Sequence, residues 1–268
     1  AGQNVERYCA AHQETAMSMT QHNARIVDQF TRWAKPFADL PIHSEDAMMA
    51  RTIEACAPAP DGEMLDVACG PGILACALAP HMRHVTGFDL TPAMIDEAKA
   101  RQSRLGLDNL GWRTGDATAL PFADDSFDRV TTRYSFHHLL NPAAVLAEMK
   151  RVCRKDGRIV VIDATPAPEK QAAFDTMERL RDPSHASALT PDQLRRLGAD
   201  AGLREVVFEA LRLEARLDTL ADPEDMPALT AMFEEDIASG EDRIGVQAWR
   251  APDGIRFFFP GSIVAWEL

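Results

Sequence analysis

The chain has 268 residues, a length that suits one doubly wound α/β domain with added helices. It carries 41 Asp and Glu against 28 Lys and Arg, and the resulting net charge of −13 disfavours nucleic acid as a partner. Its five cysteines are scattered, which argues against a disulfide framework, and no apolar stretch is long enough for a transmembrane helix. These features predict a cytoplasmic protein without a membrane span, and the histidines show no metal-ligand spacing.

The amino-terminal part of the chain, residues 1–58, is predicted to be a helical lid. Within residues 12–33, apolar side chains recur at helical spacing, and they include Met19, Ile26, Val27, Phe30 and Trp33. This pattern fits a helix that closes over a ligand and equally fits an ordinary amphipathic helix packed on a sheet. A second helix is expected over residues 44–57, with Ser44 as its N-cap.

From residue 64 onward, the apolar runs and turn signals predict alternating strands and helices. The predicted strands cover 64–69, 84–89, 110–115, 127–133, 157–163, 204–213 and 262–267. The predicted helices cover 72–80, 92–105, 142–153 and 222–239. This alternation indicates a mostly parallel sheet with helices on both faces.

The turn after the first strand is the most informative motif. Residues 64–72 read MLDVACGPG, so Asp66 lies just before a tight turn that contains Gly70 and Gly72. The spacing resembles a dinucleotide-binding turn but lacks the third glycine of G-x-G-x-x-G. A pyrophosphate there would face the Asp66 carboxylate, whereas an ammonium or sulfonium group would be attracted to it. The turn therefore predicts a cationic ligand and disfavours a nicotinamide dinucleotide.

Three further strands of the predicted sheet also end in acids, Asp89, Asp116 and Asp163. Ligands of open α/β sheets bind at the carboxyl ends of the strands, so these side chains are site candidates. Asp89 lies 17 residues beyond Gly72, close to the spacing at which a carboxylate meets ribose hydroxyls. Asp116 offers a carboxylate to an adenine amino group and Ala117 offers a backbone N–H. Together they outline an adenosine with a positively charged appendage.

Five segments together resemble the motif series of class I S-adenosylmethionine-dependent methyltransferases, especially the ubiquinone/menaquinone-biosynthesis type. They read DVACGPG, VTGFD, GDA-x-x-LPFADDSFD, HHLLNP and RVCRKDGRIVVID, and span about residues 60–165. The resemblance implies a Rossmann-like α/β fold: a doubly wound, mostly parallel seven-stranded sheet with an antiparallel last strand. It further implies a lid over residues 1–58 and a catalytic domain over 59–268, with a helical substrate-side insertion at about 165–200.

The resemblance also implies where S-adenosylmethionine would bind. Asp66 and the backbone from Ala68 to Gly70 would hold the methionine portion, Asp89 the ribose, and Asp116 with Ala117 the adenine. Ala68 stands where the family usually has a glycine, and we expect cofactor binding to survive because alanine needs only an allowed backbone angle. The complete set of predicted cofactor-binding positions is Asp66, Ala68, Gly70, Gly72, Asp89, Leu90, Met94, Asp116, Ala117 and Arg133.

Candidates for acid-base help follow the fourth strand, where His137 and His138 would lie at the mouth of the site. An imidazole suits proton abstraction near neutral pH, although both histidines could equally be structural. Arg133 is an alternative anchor for an acidic or carbonyl-bearing substrate, or a surface ion pair. His185, in the segment LRDPSHASALTPDQL, is the second base candidate, or a capping histidine.

The resemblance implies methyl transfer to an O, C or N atom of a small, fairly apolar metabolite, quinone-like or from secondary metabolism. S-adenosyl-L-homocysteine would be the second product. Two alternatives remain: a non-catalytic partner protein that binds the adenosyl cofactor, and a nicotinamide-dependent reductase. The sequence leaves open the acceptor, the need for a base, and the oligomeric state, with a homodimer as one option.

Overall fold

The computed structural model describes residues 18–39, 46–219 and 221–268. Its strands are β1 (Glu63–Val67), β2 (His84–Asp89), β3 (Leu110–Thr114), β4 (Phe127–Arg133), β5 (Cys153–Ala164), β6 (Arg204–Arg216), β7 (Trp249–Ala251) and β8 (Gly254–Glu267). Its α-helices are α1 (Met19–Asp39), α2 (Asp46–Cys56), α3 (Ile73–Leu78), α4 (Pro92–Leu105), α5 (Pro142–Val152), α6 (Gln171–Arg181), α7 (Pro191–Asp200) and α8 (Met226–Ser239).

The strands form one sheet in the order β3-β2-β1-β4-β5-β8-β6. Strands β1 to β5 run parallel, and β8 lies antiparallel between β5 and β6. The predicted mostly parallel sheet with an antiparallel last strand is thus confirmed. The chain reverses direction across the sheet between β1 and β4, and this is where open α/β sheets form a binding crevice.

Several boundaries differ from the sequence-based prediction. The last strand begins at Gly254 instead of 262, and the short β7 pairs with it as an eighth strand beside the expected seven. The pairing of β8 with β6 continues through Pro260, so this proline does not break the strand. Helix α8 begins at Met226 rather than at residue 222, with Pro227 in its first turn.

Both faces of the sheet are covered. Helices α2 and α3 pack on one face, with Met64 and Val160 among the fully buried residues there. Helices α5 and α7 pack on the other face, where Gly198 lets α7 approach Trp266 closely. A Cβ atom at Gly198 would lie 2.3 Å from the Trp266 indole. The middle of β5, residues 159–162, is accordingly wholly apolar and fully buried.

Helix α1 packs against α4 and lies beside the carboxyl edge of the sheet. The predicted cap Ser44 lies outside the described residues. The segment predicted as an insertion, about residues 165–200, contains α6 and α7, and α7 packs on the sheet as a flanking helix. The division into lid and catalytic domain stays a prediction. Within the described ranges, no helix combines the length and apolar character that a membrane crossing requires.

Candidate active site

A cavity of about 980 Å³, its open mouth included, lies at the carboxyl ends of β1 to β4 beneath α1. Among the predicted cofactor-binding positions, those that line it are Asp66, Ala68, Gly70, Asp89, Leu90, Met94, Asp116, Ala117 and Arg133. His138 also lines it, whereas Gly72, His137 and His185 do not. Helix α1 contributes Asn23, Ile26 and Phe30 to the wall.

The turn after β1 bends sharply because three of its residues have left-handed backbone conformations. The φ angles are 52° at Ala68, 52° at Gly70 and 71° at Gly72. Gly72 caps α3 and packs against Trp112, whose ring a Cβ would approach to 2.6 Å. Ala68 thus occupies an allowed region, but one that costs an L-residue about 1 kcal/mol. The same bend exposes the turn's backbone to the cavity.

Asp66 has a carboxylate oxygen without a protein partner. Its side chain is buried, its Oδ1 accepts a hydrogen bond of 3.2 Å from Thr131 Oγ1, and its Oδ2 has no partner among the described residues. Burial raises the pKa of Asp66 to about 7, against the opposing effects of Thr131 and the positive charge of Arg133. A buried, unpaired carboxylate oxygen in a cavity fits a ligand that carries a cation.

Asp89 holds the turn and the start of α4 together. Its Oδ2 accepts a hydrogen bond of 2.8 Å from the Gly70 N–H, and its Oδ1 accepts one of 2.8 Å from the Thr91 N–H. Burial raises the pKa of Asp89, although these bonds favour the ionised form. Each oxygen has a second lone pair, so the carboxylate can still accept from a ligand hydroxyl.

Asp116 links β3 to helix α1. Its Oδ1 accepts hydrogen bonds from the Thr118 N–H and hydroxyl, at 2.8 and 2.7 Å. Its Oδ2 accepts one of 2.7 Å from Asn23 Nδ2. Burial tends to raise the pKa of Asp116, but these hydrogen bonds outweigh it and the net shift is downward. Asp116 is therefore ionised at neutral pH and faces the cavity with α1 attached to it.

The turn that carries the histidine pair is fixed by Asp163 at the end of β5. The Asp163 carboxylate accepts hydrogen bonds from the backbone N–H groups of Ser135, Phe136 and Ala164, and from His137 Nδ1 at 2.5 Å. Burial alone would lower the pKa of His137, but the negative charge and hydrogen bond of Asp163 outweigh burial and raise it. His137 and Asp163 thus form a buried ion pair behind the cavity wall.

The ring of His138 is held by the loop between α6 and α7. Ser184 donates its hydroxyl proton to Asp182 Oδ1 at 2.6 Å, so His138 Nδ1 must donate to the Ser184 carbonyl and hydroxyl oxygens, both at 3.2 Å. His138 Nε2 is then unprotonated and lies 4.0 Å from Asp182 Oδ2. Burial and the charge of His137 lower the pKa of His138 well below its ordinary value.

His185 has a different neighbourhood. Its Nε2 lies 2.8 Å from Asp175 Oδ1, and its ring stacks on His137 at a centroid distance of 5.6 Å. Since His185 does not line the cavity, a direct role in catalysis would need a rearrangement. The catalytic roles suggested for Arg133 and the histidines stay predictions.

Asn23 and Thr131 are among the polar residues at the site that the sequence motifs did not identify. Thr131 reaches Asp66 because β4 pairs with β1 in a register that places the two residues opposite each other. Asn23 reaches Asp116 across 93 positions of the chain. The strand pattern offered a weak signal for Thr131, a polar residue in a buried strand, and no signal for Asn23. Within the described part of the chain, no cluster of His, Cys, Asp or Glu is arranged to hold a metal ion.

Comparison with known proteins agrees with this geometry. Residues 65–161 match the family described as a methyltransferase domain. The uncharacterized methyltransferase YcgJ of Bacillus subtilis is 32% identical over 158 residues, which cover 58% of this chain and 62% of YcgJ. The ubiquinone/menaquinone biosynthesis C-methyltransferase UbiE of Paracoccus denitrificans is 41% identical over 125 residues, 44% of this chain and 50% of UbiE. The chain thus spans about half to three fifths of these two relatives.

Solved structures show the same fold. The crystal structure of YcgJ superposes with a TM-score of 0.75 and 24% identity over 83% of this chain and 99% of that one. Geranyl diphosphate C-methyltransferase from Streptomyces coelicolor was solved with S-adenosyl-L-homocysteine. It superposes with a TM-score of 0.60 and 18% identity over 83% of this chain and 77% of that one. Residues 65–161 therefore match a methyltransferase domain in sequence, and the chain shares the fold of these solved structures. The resemblance to the ubiquinone/menaquinone-type enzymes is confirmed.

Proposed function

We propose that this chain transfers a methyl group from S-adenosylmethionine to an oxygen, carbon or nitrogen atom of a small, fairly apolar molecule. The observation that carries the proposal is the unpaired Oδ2 of buried Asp66, in a cavity that also contains Asp89 and Asp116. The ammonium group of the cofactor would give Asp66 the partner that the protein does not supply. The neighbour solved with S-adenosyl-L-homocysteine supports the choice of cofactor.

The residues of the cavity fit the rest of the cofactor as well. The bent turn from Ala68 to Gly70 brings backbone groups to the methionine portion, and the spare lone pairs of Asp89 suit ribose hydroxyls. Asp116, Ala117, Leu90 and Met94 surround the end where adenine would lie. A nicotinamide dinucleotide would instead bring its pyrophosphate against Asp66, without a compensating cation from the turn.

Bound here, the cofactor would supply an activated methyl group on a sulfonium centre. The protein's part is to orient the acceptor and exclude water, which in well-aligned reactions accounts for most of the acceleration. Ile26, Phe30 and Leu139 give this part of the wall an apolar character that suits a quinone-like or comparable acceptor. His138 adds one unprotonated ring nitrogen that can accept a hydrogen bond from the acceptor, but its lowered pKa makes it a weak proton acceptor.

The first test is direct binding. Isothermal titration calorimetry with S-adenosylhomocysteine should give saturable binding, and NAD⁺ and NADH should give none. Asp66→Asn should weaken the binding, while Asp96→Asn, on the exposed side of α4, should leave it unchanged. Binding of a dinucleotide in place of S-adenosylhomocysteine would overturn the proposal in favour of a reductase.

The second test separates an enzyme from a non-catalytic cofactor-binding protein. S-adenosylmethionine with a labelled methyl group would be incubated with a panel of quinols, phenols and amines, and the label followed into extracted product. Transfer to one acceptor class, absent with Asp66→Asn, is the expected result. S-adenosylhomocysteine binding without transfer to any acceptor would favour the non-catalytic alternative.

A further inference from the structure

The side chain of His138 is held in one orientation from several sides. Its ring lies edge-on to Phe30 of α1, at a centroid distance of 5.1 Å, and against the ring of His137 at 4.2 Å. Its Nδ1 lies 3.2 Å from the carbonyl and hydroxyl oxygens of Ser184, in the loop between α6 and α7. The backbone is fixed as well, since His22 Nε2 donates to the His138 carbonyl. A ring held in this way presents its remaining nitrogen at a defined position.

Asp182 controls which way the Ser184 hydroxyl points. Its Oδ1 accepts hydrogen bonds from the Ser184 hydroxyl at 2.6 Å and from the Ser184 N–H at 2.8 Å. Because the hydroxyl proton is directed to Asp182, the hydroxyl oxygen, like the carbonyl oxygen beside it, accepts from His138 Nδ1. The ring proton of His138 is therefore held on Nδ1 by a chain of hydrogen bonds that ends at Asp182.

The other ring nitrogen of His138, Nε2, has no hydrogen-bond partner among the described residues. Asp182 Oδ2 lies 4.0 Å away, which is beyond hydrogen-bond distance and offers no proton. The His138 side chain is 8% exposed and belongs to the cavity wall. An unprotonated ring nitrogen can only accept a hydrogen bond. A ligand that satisfies Nε2 must therefore supply a donor.

The cavity wall near His138 is apolar. Residues 22, 26 and 30 recur at intervals of four and share one face of α1, and the first and last of them contact His138. Ile26, Phe30 and Leu139 line the cavity. An ammonium group would lose its hydration beside these side chains, and an anionic group would meet the lone pair of Nε2. A neutral hydroxyl group on an apolar body fits both the nitrogen and its surroundings.

We propose that Asp182, acting through Ser184, fixes the tautomer of His138 so that Nε2 accepts a hydrogen bond from a neutral hydroxyl group of the methyl acceptor. The site would then select alcohols and phenols over ketones and ethers of the same shape, which have no proton to donate. Asp182 is a positioning residue in this scheme, and His138 is the residue that determines specificity. The inference rests on the proposed function and names the chemical class of its acceptor.

The competing arrangement places the ring proton on Nε2, which would then donate to a carbonyl oxygen of the acceptor. The charge of the ring does not decide between the two arrangements. Burial and the positive charge of His137 lower the pKa of His138 well below its ordinary value, so the ring is neutral near pH 7 in both. The position of the single ring proton is the quantity to measure.

The first measurement locates that proton. Two-bond proton–nitrogen correlation spectra of protein labelled with ¹⁵N-histidine distinguish a protonated ring nitrogen from a bare one. The signals lost in His138→Gln assign the ring, and His81→Gln, at an exposed position before β2, is the matched control. We expect a protonated Nδ1 and a bare Nε2 in the wild-type protein, with or without S-adenosylhomocysteine.

Three variants then test the role of Asp182. Asp182→Ala should free the Ser184 hydroxyl to donate to Nδ1, so that part of the protein carries the proton on Nε2. Ser184→Ala removes this donor but keeps the carbonyl, and Asp182→Asn keeps an acceptor oxygen, so both should show the wild-type tautomer. A purely structural role for Asp182 would not move the proton between the two nitrogens.

The second measurement tests the acceptor class on the wild-type protein, so it does not depend on the folding of any variant. Phenol, anisole and acetophenone are titrated to millimolar concentration into protein that contains S-adenosylhomocysteine. Phenol should shift the Nε2 resonance and bind about 2- to 10-fold more tightly than anisole, the net effect of one hydrogen bond. His138→Phe should abolish this difference between phenol and anisole.

Several outcomes would overturn the inference. A protonated Nε2 in the wild-type protein would exclude the proposed tautomer, and an unchanged tautomer in Asp182→Ala would exclude the role of Asp182. An Nε2 resonance that phenol does not shift, or that anisole or acetophenone shifts equally, would exclude selection for a hydroxyl group. Failure of the proposed function is distinguishable, since the wild-type protein would then not bind S-adenosylhomocysteine, whereas the tautomer is measured without it.

Discussion

Asn23 Nδ2 donates a hydrogen bond of 2.7 Å to Asp116 Oδ2, and this bond joins helix α1 to the loop that follows β3. A second contact lies nearby, where the buried His22 Nε2 donates to the backbone carbonyl of His138 at 2.6 Å. At the far end of the same helix, Trp33 Nε1 donates to Asp222 at 3.2 Å. Helix α1 is therefore attached at several points and forms part of the cavity wall.

Asn23→Ala should weaken S-adenosylhomocysteine binding between about twofold and tenfold, the net value of one hydrogen bond. The physical reason is that Asp116 loses a donor and α1 loses a fixed point above the cavity. Calorimetric titration measures the effect. Arg25→Ala, at an exposed position of the same helix, should bind like the wild type. Equal affinities of Asn23→Ala and the wild type for S-adenosylhomocysteine would show that this contact of α1 does not contribute to cofactor binding.

S-adenosylhomocysteine affinity should fall as the pH falls through 7. Burial raises the pKa of Asp66 to about 7, so the carboxyl is increasingly protonated below that pH. A ligand ammonium requires the ionised form, and the dissociation constant should therefore be about tenfold higher at pH 6 than at pH 8. Titrations at both pH values measure this ratio. With Asp66→Asn the ratio should approach one, and a persistent ratio would point to a different titrating group.

Ala68→Gly should stabilise the protein by up to about 1 kcal/mol. Ala68 has a φ of 52°, where an L-residue is strained and glycine is not, although glycine adds freedom to the unfolded chain. Urea unfolding followed by circular dichroism gives the free energy of unfolding. Gly72→Ala should act in the opposite direction, because its Cβ would contact Trp112. A lower free energy of unfolding for Ala68→Gly would mean that packing of the alanine methyl group stabilises the fold by more than the backbone strain costs.

Asp163→Asn should destabilise the fold by about 3 kcal/mol or more. The carboxylate accepts three backbone hydrogen bonds and pairs with His137, and the amide would lose the ion pair and accept fewer of these hydrogen bonds, while His137 would become neutral because burial lowers its pKa. Urea unfolding at pH 7 measures the loss. Asp175→Asn removes the analogous partner of His185 and should cost less, since the Asp175 side chain is slightly more exposed, at 8% against 4% for Asp163.

The double variant with His137→Asn tests the cause of that loss. If the loss of the His137–Asp163 contact dominates, replacing both residues should cost less stability than the sum of the two single variants. A strictly additive loss would assign the effect to the backbone hydrogen bonds of Asp163 alone.

The order and type of the elements from β1 to β5 were readable from the sequence, because apolar periodicity and turn residues are local signals. The start of α7 also depends on neighbouring residues, since Thr190 and Gln193, three positions apart, form a capping box. The full length of β8 was not readable from the sequence, because its first half is defined by pairing with β6.

Some residues of the candidate site could likewise be predicted from the sequence, and others could not. Acids at strand ends were identifiable, because topology brings those ends together. The attachment of Asn23 to Asp116 and the loop contact of Ser184 with His138 depend on tertiary packing over long chain separations, and no pattern of neighbouring residues encodes them. Gly72 carries a turn signal, but its backbone shapes the turn without lining the cavity.

The unpaired oxygen of Asp66 connects the stability of the folded protein to the binding of a cationic ligand. A buried carboxylate oxygen without a partner lowers the free energy of unfolding, and a bound cation would raise it. The fraction of folded protein would therefore increase with ligand concentration. Under the proposed function, S-adenosylmethionine would stabilise the folded state, and protein purified without it would unfold at a lower urea concentration.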